Sequence, residues 1–220
     1  MSTLTAAETE RFYRLWFQLL SYANEQLHVV GALPAEPEPG SVDPDTVDTV
    51  RDVLWKNDEV LERFVAENPA SLSPADISAV AAWRLRVSGD FVVIRHLKRH
   101  SLFLHGHPGH PDRVYGVVGL TTPLAEMLPS PALPRFVRAV LLPFEGRIIY
   151  DSQFGAMPVT FGPGARRSMR EATRRATARE GVITTLDDSP RPAPRSRKVA
   201  RPPLLVVPRG RRRPVSRGDG

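Results

Sequence analysis

The fold is decided by residues 90–120, DFVVIRHLKRHSLFLHGHPGHPDRVYGVVGL, where apolar residues stop recurring every three to four positions and begin to alternate. Alternation with a period of two is typical of β-strands, because successive side chains point to opposite faces of a sheet. Short β-branched segments separated by turn residues indicate an antiparallel meander, with a tight hairpin turn at Glu145 and Gly146. The predicted strands are residues 90–98, 101–105, 113–120, 136–142 and 147–151.

Helical patterns precede this stretch. The sequence TAAE at residues 5–8 has the spacing of a capping box, and the apolar residues behind it recur at helical steps. Phe12 and Trp16 are predicted core residues of this first helix, and Trp83 is its predicted partner. Two later helices begin with an N-cap residue followed by proline. The predicted helices are residues 5–28, residues 43–67 with a break at Asn57-Asp58, and a third from 73 that ends at Ser88-Gly89.

The second half of the chain ends in one more helix. It is predicted over 164–180, is stopped by Gly181, and is followed by a candidate edge strand at 182–186. The order of elements indicates an α+β fold, in which N-terminal helices pack on a mainly antiparallel, five- to six-stranded meander sheet with a late basic helix. We predict a single domain over 1–186, with a helical part (1–89) and a part with the sheet and the last helix (90–186).

A composition shift begins at Asp187. Residues 187–220 contain seven prolines, and their charges are almost all arginine. Apart from the apolar residues 204–207, no periodicity continues, so this segment cannot bury enough surface to offset its chain entropy. We predict a disordered, Arg/Pro-rich C-terminal tail.

The formal net charge of +6 in 220 residues is unevenly distributed. Residues 1–89 carry a net charge of −7, residues 90–186 of +6 and residues 187–220 of +7. The folded part is therefore close to neutral, and its basic charge is concentrated on the last helix. Such asymmetry favours either docking of the acidic half on the basic half or two surfaces with different partners.

Several classes of protein are excluded or disfavoured by composition. The chain has no cysteine, which excludes disulfides, thiolate metal sites and cysteine nucleophiles. The first residues lack the pattern of a secretory signal, and no apolar run approaches the ~20 residues of a membrane span. We expect a cytoplasmic protein with no membrane contact.

Histidines are the first candidates for chemistry, since five of the six lie within residues 96–110. Imidazole is a good zinc or nickel ligand, but the H-x-H-x-x-H spacing at His105, His107 and His110 matches no strict tetrahedral signature. A solvated loop explains these residues equally well. The alternative function that they support is a metal-dependent hydrolase that uses the 96–110 segment with Glu145 or Asp151. Turn and strand-end positions are the ordinary explanation of those two carboxylates.

The last helix carries the other candidate site. The sequence FGPGARRS at 161–168 places a glycine turn at a helix start, where free backbone N–H groups favour an anion, although it is not a P-loop. Arginines then follow on both flanks of a small apolar face. They either contact phosphates without sequence preference or pair with the acidic N-terminal half. The candidate anion or nucleic-acid contacts are Gly164, Arg166, Arg167, Arg170, Arg174 and Arg175.

Three segments together carry a resemblance. FVVIRHLKRH at 91–100, VYGVVGLTTPLAEM at 114–127 and VLLPFEGRIIYDS at 140–152 resemble a family of uncharacterised bacterial proteins. The resemblance covers about residues 5–186 and omits the tail. It implies a bacterial intracellular protein and transfers no catalytic residue.

The sequence favours a non-catalytic binding or accessory protein over an enzyme. We identify no catalytic, metal-binding or cofactor-binding residue in this main interpretation. The expected partner is another protein, or a nucleic acid or other polyanion contacted through the 164–180 helix and the basic tail. Hydrolysis by the histidine-rich segment stays as the alternative.

Overall fold

The computed structural model describes residues 3–38, 40–106 and 110–187, and helices occupy the first part of this range. They are α1 (Ala6–Leu27), α2 (Pro44–Leu54), α3 (Asp58–Glu67) and α4 (Pro74–Ala81), followed by a 3₁₀ turn at Ala82–Leu85. The capping box is confirmed, because the Thr5 hydroxyl accepts from the Glu8 backbone N–H and the Glu8 carboxylate accepts from the Thr5 N–H. The expected break between the second and third helices is also present.

Five strands form a closed barrel with the order β1-β2-β3-β5-β4. All neighbours pair antiparallel except β3 and β5, which meet in parallel at Val117 and Ile148. The α+β class and the mainly antiparallel sheet are therefore confirmed. The consecutive order of a meander holds for β1 to β3, while β4 closes the sheet by pairing with β1. The strands are β1 (Val87–His96), β2 (Ser101–His105), β3 (Arg113–Val117), β4 (Arg135–Phe144) and β5 (Arg147–Ala156).

The turn between β4 and β5 has the predicted position. Glu145 and Gly146 have φ angles of 48° and 65°. Positive φ at both central residues is typical of a type I′ turn, whose twist matches that of the flanking strands. The remaining elements are α5 (Leu124–Met127), a 3₁₀ turn at Ser130–Ala132 and α6 (Pro163–Glu180).

The predicted end of the third helix is wrong. Helix α4 stops at Ala81, and β1 already begins at Val87, where its first residues pair with the far end of β4. A Cβ at Gly89 would lie 2.8 Å from the His105 ring, so this glycine makes room for an imidazole and does not end a helix. Pairing with a strand distant in sequence decided the local structure. The candidate edge strand is reduced to one bridge between Ile183 and Tyr115.

The main core lies between the N-terminal helices and the barrel. Phe12 and Trp16 are fully buried, as predicted, and their ring centroids both lie 5.9 Å from that of Trp83. Phe12 also meets Phe144 of β4 at 5.6 Å. Aromatic side chains therefore join α1 to the sheet. Within the described ranges, no helix combines the length and the apolar character that crossing a membrane requires. The predicted disorder of the tail concerns residues that lie, apart from Asp187, outside the described ranges.

Candidate anion-binding groove

Helix α6 lies on the outer face of the barrel. Gly162 is its N-cap, Pro163 occupies the first turn, and Gly181, with a φ of 79°, follows its last residue. The helix presents a narrow apolar stripe to the sheet, and most of its other residues are charged or small. This stripe contacts a second core cluster on the outside of β1 to β3. The cluster contains Leu102, Leu104, Val114, Ala172 and Ala176, with Met169 packed against it.

A groove of about 660 Å³ runs between α6, β1 and the loop before β4, and we call it the α6 groove. Its apolar surface comes from Ile94, Leu133, Pro134 and Met169. Its charged wall contains five guanidinium groups and one carboxylate, that of Glu171. Such an excess of cations beside an apolar surface attracts anions from solution. The five arginines are Arg95, Arg166, Arg167, Arg170 and Arg174.

The arginines of α6 divide into two groups. Arg166 donates through Nε to the Phe161 carbonyl at 2.9 Å and through Nη1 to the Leu133 carbonyl at 3.1 Å, so it holds the helix start against the loop. Arg175 lies 3.8 Å from the Asp112 carboxylate, and Arg179 donates to Glu180 at 2.9 Å. Arg166, Arg175 and Arg179 therefore have partners within the protein.

Arg167, Arg170 and Arg174 are different. They are exposed, and among the ion pairs that the described residues form, none includes them. Because positions 167, 170 and 174 are three and four residues apart, their side chains share one face of α6. Gly164 lies at the exposed start of the same helix, with no atom within 4 Å of a Cβ built on it. The structure thus places four of the six predicted contacts on an open cationic surface.

Arg95 was missed by sequence reasoning. It is an exposed residue of β1 and lines the α6 groove opposite the helix. A single arginine in a predicted strand carries no signal that relates it to a helix distant in sequence. Only the packing of α6 across the barrel brings Arg95 into the same surface as Arg170.

Among the described residues, the α6 arginines do not form the ion pairs with the acidic N-terminal half that one interpretation of the sequence predicted. The ion pairs of Arg175 and Arg179 are with Asp112 and Glu180, which both belong to the second half. The N-terminal helices are attached to the barrel by other contacts. These are the ion pairs Arg11–Glu145, Glu8–Arg147 and Arg51–Asp151.

Two histidines of the 96–110 segment form local hydrogen bonds, whereas His100 Nε2 is buried without a hydrogen-bond partner among the described residues. His96 bonds the Ser101 hydroxyl through Nδ1 and the Leu128 carbonyl through Nε2, both at 2.7 Å. His105 bonds the Asp90 carbonyl at 3.0 Å. His107 lies outside the described residues. Among the residues that are described, no group of three or more His, Asp or Glu side chains is placed to hold a metal ion.

The two carboxylates of the hydrolase alternative lie apart from the histidines. Glu145 forms an ion pair with Arg11 of α1. Asp151 is fully buried, and its Oδ2 accepts from Arg51 Nε at 2.5 Å and from Trp55 Nε1 at 2.7 Å. Burial raises the pKa of Asp151 to about 6, against the opposing effect of Arg51 and Trp55. These contacts attach the N-terminal helices to the barrel.

Arg11 and Arg14 form a hydrogen-bonded network with Asp76 that affects the stability of the protein in acid. Burial disfavours the charged form of Asp76, but hydrogen bonds from Arg11 at 2.7 Å and Arg14 at 3.0 Å outweigh it and lower the pKa of Asp76 to about 2. The ordinary value is 3.8. The stability that this ionised carboxylate contributes is therefore complete above pH 3.8 and is lost as the pH falls toward 2.

Replacing Asp76 by asparagine is expected to lower the free energy of unfolding at pH 7 by roughly 2 kcal/mol. The difference from the wild type should close as the pH falls from about 4 to about 2, because the wild-type carboxyl then takes up its proton. Urea unfolding at a series of pH values measures this difference. Asp58→Asn is the matched control, since the Asp58 side chain is 72% exposed where it pairs with Arg86, and its replacement should change stability little. A difference for Asp76→Asn that does not change with pH would contradict the network.

Comparison with protein-family models, with curated proteins and with solved structures finds no match for this chain. The resemblance to a family of uncharacterised bacterial proteins therefore stays a prediction.

Proposed function

We propose that this protein is a non-catalytic binding protein that holds the phosphate backbone of a nucleic acid in the α6 groove. The observation that supports the proposal is that the arginines of α6 fall into two groups. Arg166, Arg175 and Arg179 have partners within the protein, whereas Arg167, Arg170 and Arg174 face the groove without a carboxylate partner among the described residues.

The spacing of these guanidinium groups fits a repeated anion better than a single one. Residues 167–174 span two turns, roughly 10 Å along the helix axis. Arg95 adds a cation from β1 on the opposite side of the groove. A chain of phosphates presents charges over such a distance, whereas one small anion would engage only one or two of the side chains. The exposed start of α6 adds a partial positive charge at one end.

The groove favours binding without sequence preference. Its apolar surface is aliphatic, and among the described residues no aromatic ring that would stack on a base lines it. Phosphate contacts position a nucleic acid but do not distinguish bases. The affinity should therefore depend steeply on salt concentration, because each neutralised phosphate releases counterions. A cytoplasmic protein with a basic tail would meet such ligands, and the tail would add to the affinity.

The proposal is tested by fluorescence anisotropy with a labelled oligonucleotide of mixed sequence and the full chain. In the variant Arg170→Ala/Arg174→Ala, the affinity should fall, and the slope of log K against log salt should decrease by about 1.5–2. The matched control is Arg175→Ala/Arg179→Ala, which removes the same charge from the same helix at positions that are already paired. The slope of the control should change by less than half as much.

Two results would overturn the proposal. One is an absence of binding by the wild type at low salt. The other is an equal loss in the two double variants, which would mean that α6 acts only through its total charge. Because both variants keep the tail, any contribution from residues 188–220 is the same in each. Thermal unfolding of each variant shows that the fold is retained.

A further inference from the structure

A second groove lies in the N-terminal half of the chain, between α1 and residues 35–38 and 40–42, and we call it the α1 groove. Its volume is about 990 Å³. Tyr13 and Phe17 of α1 form its aromatic wall with ring centroids 6.5 Å apart, and Leu4 and Val42 add aliphatic surface. Tyr13, Phe17 and Val42 are only partly buried, although they lie against the main core. Large apolar side chains thus remain accessible in a concave site.

The rim of the α1 groove is acidic. Glu10, Glu36 and Glu38 line it and are exposed. Arg14 also lines the groove, but it pairs with Asp76 at 3.0 Å. Among the ion pairs formed by the described residues, none uses these three carboxylates, and Glu36 only accepts a hydrogen bond from Gln18 at 3.3 Å. An aromatic groove with unpaired carboxylates at its edge suits a ligand that is apolar in the middle and cationic at its ends.

We propose that the α1 groove binds a segment of this chain's own C-terminal tail, residues 201–209. Their sequence is RPPLLVVPR, in which four aliphatic residues lie between prolines and one arginine stands at each end. Aromatic-lined grooves recognise proline-rich segments because an extended polyproline conformation loses little entropy on binding. Arg201 and Arg209 pair with the acidic rim, while the aliphatic residues cover Tyr13 and Phe17.

The path of the chain allows this docking. Asp187, the last described residue, lines a small cleft together with Glu145 and Arg147. Arg147 pairs with Glu8 in the first turn of α1, and neighbouring Ala6 and Thr9 line the α1 groove. The chain therefore leaves the described part beside the end of the helix that forms the groove. Residues 188–203 reach roughly 50 Å when extended, which is enough to pass around α1.

Charge makes the docking specific to this half of the molecule. Residues 1–89 carry a net charge of −7 and residues 187–220 of +7. The α6 groove is cationic and repels the tail. The acidic N-terminal half therefore finds its cationic complement in the tail, since the α6 arginines that form ion pairs, Arg175 and Arg179, pair within the second half of the chain.

Paramagnetic NMR on the full chain tests the proposal, and the absence of cysteine makes a single label straightforward. A spin label is attached to the variant Gly210→Cys, next to the docking segment. The amide signals of Glu10, Tyr13 and Phe17 should lose most of their intensity relative to the reduced label. In the added variant Glu36→Lys/Glu38→Lys, these signals should recover. The matched control is Glu59→Lys/Glu62→Lys, which makes the same charge change at exposed residues of α3 and should leave the loss in place.

Three results would overturn the proposal. The first is unchanged intensity of the α1 groove signals in the labelled full chain. The second is an equal effect of the two lysine pairs, which would indicate attraction to general negative charge. The third concerns a mixture of two chains, one isotope-labelled without a spin label and the other spin-labelled without isotopes. A loss of intensity of the same size in this mixture would mean that the groove binds the tail of a second copy. No nucleic acid is present in this experiment, so its outcome is independent of the function proposed for the α6 groove.

Discussion

Replacing Arg51 by alanine is expected to lower the free energy of unfolding by about 3–5 kcal/mol, because it leaves the buried Asp151 carboxylate without its cation. The Arg51 side chain is 10% exposed and that of Asp151 is 0% exposed. After the substitution, Trp55 Nε1 remains as a donor to Asp151 Oδ2, while Oδ1 has no hydrogen-bond partner among the described residues even in the native protein. The low polarity of the site makes an uncompensated charge costly.

The pH dependence of this loss identifies its cause. The pKa of Asp151 in the native protein is raised to about 6 from the ordinary 3.8. Without Arg51 it rises further, so a larger part of the Asp151 population is neutral in the folded variant. The loss should therefore be complete well above pH 6 and smaller at pH 5, where protonation removes the unpaired charge. Chemical unfolding at several pH values measures this.

Two further variants separate the ion pair from general packing. Arg63→Ala changes an exposed arginine of α3 and should alter stability by no more than about 0.5 kcal/mol. The double variant Arg51→Met/Asp151→Leu should recover much of the stability, since replacing both partners removes the burial of charge. A double variant as unstable as Arg51→Ala would contradict this explanation.

Replacing Gly119 by alanine is expected to cost about 3 kcal/mol, because a Cβ there would meet backbone atoms that cannot move independently. It would lie 2.3 Å from the Thr122 carbonyl oxygen and 3.4 Å from the Leu124 backbone nitrogen at the start of α5. Gly119 also accepts a hydrogen bond from the Leu4 N–H at 3.2 Å. A shift of the 119–124 turn would therefore disturb the contact that precedes α1.

Gly155→Ala is the matched control for this substitution. Gly155 lies in β5, and no atom comes within 4 Å of a Cβ built there. Its replacement should be neutral or slightly stabilising, because alanine reduces the entropy of the unfolded chain. Thermal and urea unfolding of the two variants measure the difference. Equal stability would show that the 119–124 turn adjusts without cost.

Much of the local structure was predictable from short-range signals. The capping box at Thr5, the two N-cap residues followed by proline and the turn at Glu145 and Gly146 depend on contacts within a few residues. The structure confirms all of them. The third helix was extended too far because Ser88-Gly89 resembles a helix end. The hydrogen bonds that place these residues in β1 come from β4, which no local pattern reveals.

The candidate site was predictable in part. The helix and its arginines were identified from spacing, and four of those arginines line the α6 groove. Which arginines are paired was not predictable, because Asp112 and the Leu133 carbonyl approach α6 only after the barrel has closed. Arg95 was missed for the same reason. The histidines attracted attention by their number, but His96 and His105 proved to bond nearby carbonyl and hydroxyl groups.

The sequence by itself determined where most helices and strands form, apart from the end of α4 and the start of β1. It also determined which residues of α1 are buried, and that basic charge is concentrated on α6 and in the tail. These properties depend on periodicity, capping and composition, which neighbouring residues supply. Only the tertiary structure decided that the sheet closes, that Arg51 neutralises Asp151 at the junction of α2 and β5, and that two grooves of opposite charge form on different halves. Each of these depends on residues that are distant in sequence and meet only when burial of apolar surface brings α1 and α6 onto the barrel.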